Sequence, residues 1–164
     1  MSTRYFSTEL GVASVSWNER GLTRFHLPEE SAKMAEGGLL RAPPPIESVV
    51  TRAQDHFKGR LRDFADVALD WSQVTPFQRK VYQETQAIKA GHTTTYGDIA
   101  RRLGLGPEGA RSVGVALGAN PWPLIVPCHR VVAADGKMTG FSAPGGIRTK
   151  TRLLAMEGVE LVSE

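Results

Sequence analysis

A single cysteine, Cys128, stands in a chain of 164 residues. That scarcity excludes an internal disulfide. With no second thiol and no H-x-x-x-H pairing among His26, His56, His92 and His129, it also argues against a metal site. Long apolar runs are missing as well. The longest uncharged window, Ser112 to Cys128, is interrupted by Pro121, Pro123, Pro127 and several glycines, which speaks against a membrane span. No charged segment followed by an apolar run opens the chain, so no secretory signal is read there and a soluble, cytoplasmic protein is expected. The sequence shows no internal repeat and no low-complexity tract.

What is present is ordinary globular composition, 41% hydrophobic and 23% charged, in a length that suits one medium domain or two small ones. The net charge of +3 is unevenly divided. Residues 1–74 carry 9 Lys/Arg against 10 Asp/Glu, a net of −1, whereas residues 75–164 carry 11 against 7, a net of +4. A basic second half is compatible with a polyanionic partner such as nucleic acid, and so small an excess is equally compatible with none.

The pattern of elements divides near the same place. The β-rich runs "LGVASVSW" and "GLTRFHL" flank Asn18-Glu19-Arg20-Gly21 and predict a hairpin. The Gly/Pro segment "GGLLRAPPP" then gives way to "IESVVTRAQDHF", whose Ile46, Val49, Val50, Ala53 and Phe57 recur at helical spacing. Val67 to Trp71 is a candidate for one more strand. Together these predict an α+β protein. Residues 1–74 form a small α/β domain with a hairpin-containing sheet and no visible chemistry, and residues 75–164 form a mostly helical domain.

In that second half, Thr75-Pro76-Phe77-Gln78 makes a capping box for a helix with Phe77, Val81 and Ile88 on its core face, expected to stop at Gly91. Thr95-Tyr96-Gly97-Asp98 caps a short helix ending at Gly104, and Pro107 starts another that ends before Asn120-Pro121. Two short helices around a glycine-containing turn suggest a helix-turn-helix, a pattern shared by any antiparallel helix pair. On the later helix Ala110, Gly114 and Gly118 fall at i, i+4 and i+8, leaving one stripe nearly bare, although each glycine costs about 1 kcal/mol relative to alanine. Two readings fit: tight packing on a neighbouring helix, or a helix slim enough to enter a nucleic-acid groove with Arg111 projecting near its start.

Cys128 lies in "PLIVPCHRVV" and has two readings of its own. A lone cysteine packs well as an inert buried hydrophobe. Pro127, however, breaks regular hydrogen bonding where the chain must turn, and His129 and Arg130 bring a base and a positive charge, which favour the nucleophilic thiolate. Adjacent strand residues face opposite sides, so His129 can serve Cys128 only through a turn or a bridging water.

The segment "ANPWPLIVPCHRVV", preceded by "TTTYGDIA" and "ARSVG", resembles the methylated-DNA–protein-cysteine methyltransferases, the O6-alkylguanine-DNA alkyltransferases. The match is close over residues 75–160 and general before that, where the hairpin, the helix and "FKGRLRDF" resemble the family's variable N-terminal domain. The resemblance implies irreversible, stoichiometric transfer of an alkyl group from O6 of guanine in double-stranded DNA to Cys128, with O4-alkylthymine a second candidate substrate. It implies that His129 takes the thiol proton through a water while Glu157 orients the imidazole, that Asn120 braces the nucleophile's turn, and that Tyr96 protonates the leaving base. It also implies a flipped nucleotide, with Arg111 filling the vacated stack and Ala110, Ser112, Gly114 and Tyr96 at the minor groove. The guanine would meet the backbone at Cys128, Val131 and Ser142, with Pro123 and Phe141 along the alkyl side. No cofactor, metal or protein partner is implied, and a monomer is expected.

Two features depart from the family's pattern: Phe141 stands where many relatives carry tyrosine, and Ala143-Pro144 separates Ser142 from the glycine pair. A non-catalytic, alkylated-base-binding relative is the alternative reading. Such proteins replace the cysteine, which is present here.

Overall fold

The structure is a computed structural model that describes residues 2–29, 41–134 and 146–159. Three antiparallel strands, β1 (Ser2–Thr8), β2 (Gly11–Asn18) and β3 (Gly21–Glu29), form a sheet in that order. The expected hairpin is β2–β3, with Asn18 paired to Gly21 and the Asn18 side chain accepting from the Arg20 N–H at 2.8 Å. β1 is an element that the sequence reading lacked. Phe6 is its only buried residue, too little alternation to announce a strand. Helix α1 (Pro44–Phe57) covers the sheet with Ile46, Val49, Val50, Ala53 and Phe57 buried, as their spacing requires, and with His56 buried beside them. Arg4 of β1 pairs with Glu47 of α1 at 2.9 Å.

Val67 to Trp71 is not a strand. It makes one bridge, Leu69 beside Leu22, and then turns into a short 3-10 helix at Trp71–Gln73. The reason is local: the Asp70 side chain accepts from the Ser72 N–H at 3.1 Å and starts the turn. Gly21 permits the bridge, because a Cβ there would lie 2.6 Å from the Ala68 carbonyl oxygen, and its φ of +141° suits glycine.

The later elements are α2 (Pro76–Gln86), β4 (Thr94–Thr95), α3 (Tyr96–Arg102), α4 (Gly109–Gly118), β5 (Val131–Val132) and α5 (Gly146–Met156). Both reciprocal bonds of the Thr75/Gln78 capping box form, at 2.9 and 3.1 Å. α2 nevertheless ends at Gln86 rather than at Gly91, since the Ala87 and Ile88 N–H groups close tight turns on Glu84 and Thr85. Gly91, at φ +89°, serves a later turn. Thr95 caps α3 as expected, accepting from the Asp98 N–H at 3.0 Å. α4 begins at Gly109 rather than at Pro107, because Glu108 is its N-cap and the Gly109 N–H closes a turn on Gly106 at 2.9 Å.

α3 and α4 meet at Gly109, where a Cβ would lie 2.6 Å from Leu105 Cβ and 2.9 Å from Ala100 Cβ. The close helix contact therefore lies off the bare stripe. One contiguous apolar cluster runs from Phe6 in the sheet through Val81, Val113 and Trp122 to Leu153. Trp122 fastens the segment after α4 to the sheet by donating its Nε1–H to the Leu22 carbonyl at 2.9 Å, with Trp71 and Tyr82 packed edge-on around it. Among the described residues no helix is long and apolar enough to cross a membrane.

Candidate active site

The loop after α4 is closed by one side chain. Asn120 donates Nδ2–H to the Val126 carbonyl and accepts the Trp122 N–H on Oδ1, both at 2.9 Å. Within this loop Leu124 holds a φ of +77°, a left-handed conformation that costs a branched-chain residue about 1–2 kcal/mol. Pro127, at φ −78° and ψ 67°, centres an inverse γ-turn in which the Cys128 N–H reaches the Val126 carbonyl at 2.7 Å. Cys128–Arg130 then form one 3-10 turn, so the thiol sits where the proline redirects the chain. β5 pairs in parallel with β4, Thr94 to Val131 and Thr95 to Val132, and this sets the nucleophile's turn beside Tyr96, the first residue of α3.

Glu157, just past α5, is buried and gathers the neighbouring donors. Its Oε2 accepts from Arg130 Nη2 at 2.7 Å, from His56 Nε2 at 2.8 Å and from His129 Nε2 at 3.0 Å, while Oε1 accepts from Arg130 Nε at 2.8 Å. Burial pushes the Glu157 carboxyl upward, but the bonds from Arg130, His129 and His56 outweigh it and hold the group well below the usual carboxylate range. A carboxylate only accepts, so His129 carries its proton on Nε2. Its Nδ1 lone pair is buried and has no partner among the described residues. Burial lowers the His129 pKa against the upward pull of Glu157, so the ring rests as a neutral base.

Burial pushes the Cys128 thiol up, against a hydrogen bond from Asn120 and the charge of Lys150. The net direction is upward, so the group rests as a thiol and needs a base to become nucleophilic. Arg130 does not supply the activating charge read from its sequence position, because its guanidinium is consumed by Glu157 and by the Ile88 carbonyl at 2.7 Å. Lys150, fully buried on α5, donates to the Val131 carbonyl at 2.7 Å and to the Tyr96 hydroxyl at 3.4 Å. An ammonium has no lone pair, so Tyr96 accepts here and does not spend its own proton on Lys150.

Cys128 opens onto a cavity of about 390 Å³ lined by Asn120, Pro121 and Pro123 on one side and by Thr23, Phe25 and His26 of β3 on the other. The first half of the chain, in which the sequence shows no visible chemistry, therefore borders the thiol through β3 and reaches Glu157 through His56. Neither was signalled locally: His56 meets Glu157 across 101 residues of sequence.

The bare stripe of α4 faces outward. Ala110, Arg111, Ser112 and Gly118 are exposed, Gly114 is half-buried, and Val115 is 71% exposed. Among the described residues a Cβ at Gly118 would meet nothing within 4 Å, and one at Gly114 would meet only the Tyr96 ring, at 3.8 Å. Tight packing against the described residues therefore does not explain the stripe, which touches the Tyr96 ring at Gly114. Of the residues anticipated from sequence, Cys128, Asn120 and Pro123 line one cavity, His129 bonds Glu157, and Tyr96 and Val131 share the Lys150 ammonium. Phe141, Ser142 and the Ala143-Pro144 pair lie outside the described residues. His56 and Lys150 are site residues that the sequence reading missed.

A family model described as the DNA-binding domain of 6-O-methylguanine DNA methyltransferase matches residues 76–159. A methylated-DNA–protein-cysteine methyltransferase of Mycolicibacterium paratuberculosis is 35% identical over 94% of this chain and 90% of its own. One from Methanothermobacter thermautotrophicus is 37% identical over 90% of this chain and 80% of its own. Among solved structures, the Mycobacterium tuberculosis OGT in complex with DNA is 34% identical with a TM-score of 0.79, covering 96% of this chain and 93% of that one. With a matched domain that spans Cys128, His129 and Glu157, and with relatives aligned along nearly the whole length, the chain belongs to the methylated-DNA–protein-cysteine methyltransferase family.

Proposed function

We propose that this protein repairs O6-alkylguanine in double-stranded DNA by moving the alkyl group onto Cys128, once per molecule. The observation that carries the reading is His129: its Nε2 is anchored on Glu157, and its buried Nδ1 lone pair has no partner among the described residues, one residue from the chain's only thiol. In the proposed step the thiol proton passes to Nδ1 through a water, the Sγ–carbon bond forms and the carbon–O6 bond breaks. The electron pair goes to the guanine, which takes a proton from Tyr96, and Tyr96 recovers one from solvent. The thioether has no route back, so the protein is consumed.

Access to O6 requires a flipped nucleotide, at a cost of a few kcal/mol. α3 and α4 are read as the DNA-binding helix-turn-helix, with the bare stripe in a minor groove about 6 Å wide and Arg111 in the vacated stack. Arg111 suits that role because it is exposed and makes no ion pair or hydrogen bond to the described residues. Ala110, Ser112 and Gly114 line the approach, while Val131 and Pro123 bound the base and its alkyl group. In this reading residues 1–74 and 75–164 are two domains of a cytoplasmic monomer, a compartment that keeps the lone thiol reduced.

Titration of free thiol against O6-methylguanine duplex tests the proposal. One thiol lost per alkylated base supports it. Repeated turnover would indicate a cysteine hydrolase, and binding without thiol loss would indicate a non-catalytic alkylated-base-binding protein.

A further inference from the structure

His56 has no part in the transfer as described, yet it is fully buried against its central carboxylate. Its Nδ1 accepts the Arg62 backbone N–H at 3.1 Å, so the ring proton lies on Nε2 and is donated to Glu157 Oε2 at 2.8 Å. A carboxylate oxygen offers about two lone-pair sites, and here three donors share one oxygen. His129 makes the longest of the three bonds, at 3.0 Å. The rings of Phe57 and Phe64 stand edge-on to His56, closing two of its sides with apolar surface. The charged or titratable groups facing it are Glu157 and, through Glu157, His129 and Arg130, whereas the Arg62 guanidinium turns away to Asp55 at 2.6 Å.

We propose that His56 is a positioning residue of the transfer site, a donor supplied by the N-terminal half that limits the hold of Glu157 on His129 and so keeps the His129 Nδ1 lone pair available for the thiol proton. The inference rests on the alkyl-transfer reading above. Competition for Oε2 weakens the one bond that would make His129 more basic. The balance around His129 agrees: burial lowers its pKa, the Glu157 bond and charge raise it, and the Arg130 charge lowers it further.

The test compares His56→Phe, which keeps an apolar ring and removes the donor, with His56→Gln, which keeps a donor near the Nε2 position, in the full chain. Nitrogen-15 histidine NMR follows the His129 titration, and the pH profile of Cys128 alkylation by the free base O6-benzylguanine follows the chemistry. In His56→Phe the His129 midpoint should rise by about half a pH unit, which is about threefold in free base on the acid side. The acid limb of alkylation should move with it, while the high-pH plateau and duplex affinity stay at the parental level. His56→Gln should restore both. An unchanged His129 midpoint in His56→Phe, or an equal loss of rate in both variants at every pH, overturns the proposal. If His56→Phe does not fold, the parent and His56→Gln decide: a His56 proton on Nε2 with a parental midpoint in the Gln variant supports it, and a proton on Nδ1 overturns it. Failure of the alkyl-transfer reading would show separately, as a parent protein that keeps its thiol with alkylated duplex while the NMR comparison stands.

Discussion

Replacing Glu157 by glutamine removes one charge and leaves the shape nearly unchanged, yet the structure predicts a large effect. Oε2 receives three donors and Oε1 one, so either orientation of the amide sets its NH2 against at least one N–H that now has no acceptor. Arg130, only 6% exposed, is left as a buried cation without its counter-charge. Breaking a buried pair in this way costs about 3–5 kcal/mol, a large share of the roughly 5–15 kcal/mol that holds a domain folded. With a urea slope of about 2 kcal/mol per molar, the unfolding midpoint should fall by about 2 M. The pH dependence has a definite sign. The folded-state pKa of Glu157 lies well below its unfolded value of 4.5, so its contribution is present above about pH 4.5 and is lost progressively as pH falls below that. The parent should therefore lose stability more steeply than the variant in acid. A midpoint within about 0.3 M of the parent, with parallel acid profiles, would refute the assignment of Glu157 as the buried anchor.

Arg111→Ala should slow repair of duplex far more than reaction with O6-benzylguanine, because only the duplex requires a filled stack; equal losses in the two rate measurements would remove that role. Gly114→Ala should raise stability by up to about 1 kcal/mol in a urea titration, since the new Cβ has ordinary contact distance to Tyr96 at 3.8 Å, and should weaken duplex binding by narrowing the clearance of the stripe. Undiminished duplex affinity would place the groove contact elsewhere. Lys150→Met removes the buried charge that draws the Cys128 pKa down, so the thiol's alkylation profile with iodoacetamide should move to higher pH; a profile that stays in place would show that Lys150 serves only the Val131 carbonyl.

Local chemistry was legible where it is complete within a few residues. The Asn18–Gly21 turn, the apolar spacing of α1, and the Thr75 and Thr95 caps each need only neighbours in sequence, and each forms. Where an element depends on a distant partner, the sequence misleads: Leu69 looks like part of a strand but has only Leu22 to pair with, and β1 has one buried residue to mark it. The site divides in the same way. Cys128, His129, Asn120 and Glu157 were reached through a motif, whereas the reason for Asn120, two bonds that close a loop around Leu124, needs coordinates. His56 and Lys150 were missed because a buried histidine on an apolar helix face and a lysine on a late helix look unremarkable until folding brings their nitrogens to Glu157 and Val131. The bare stripe of α4 is visible in the sequence, but only coordinates show that no described atom lies within 4 Å of a Cβ at Gly118, which favours access over packing.

The central claim is that Cys128 is an alkyl acceptor consumed in the reaction, and intact-protein mass spectrometry with peptide mapping tests it most directly. After incubation with an excess of O6-methylguanine duplex, the protein should carry one added methyl group, located on Cys128, with no further uptake. An unmodified protein alongside repaired DNA, or methyl groups on other residues with Cys128 still free, would contradict it.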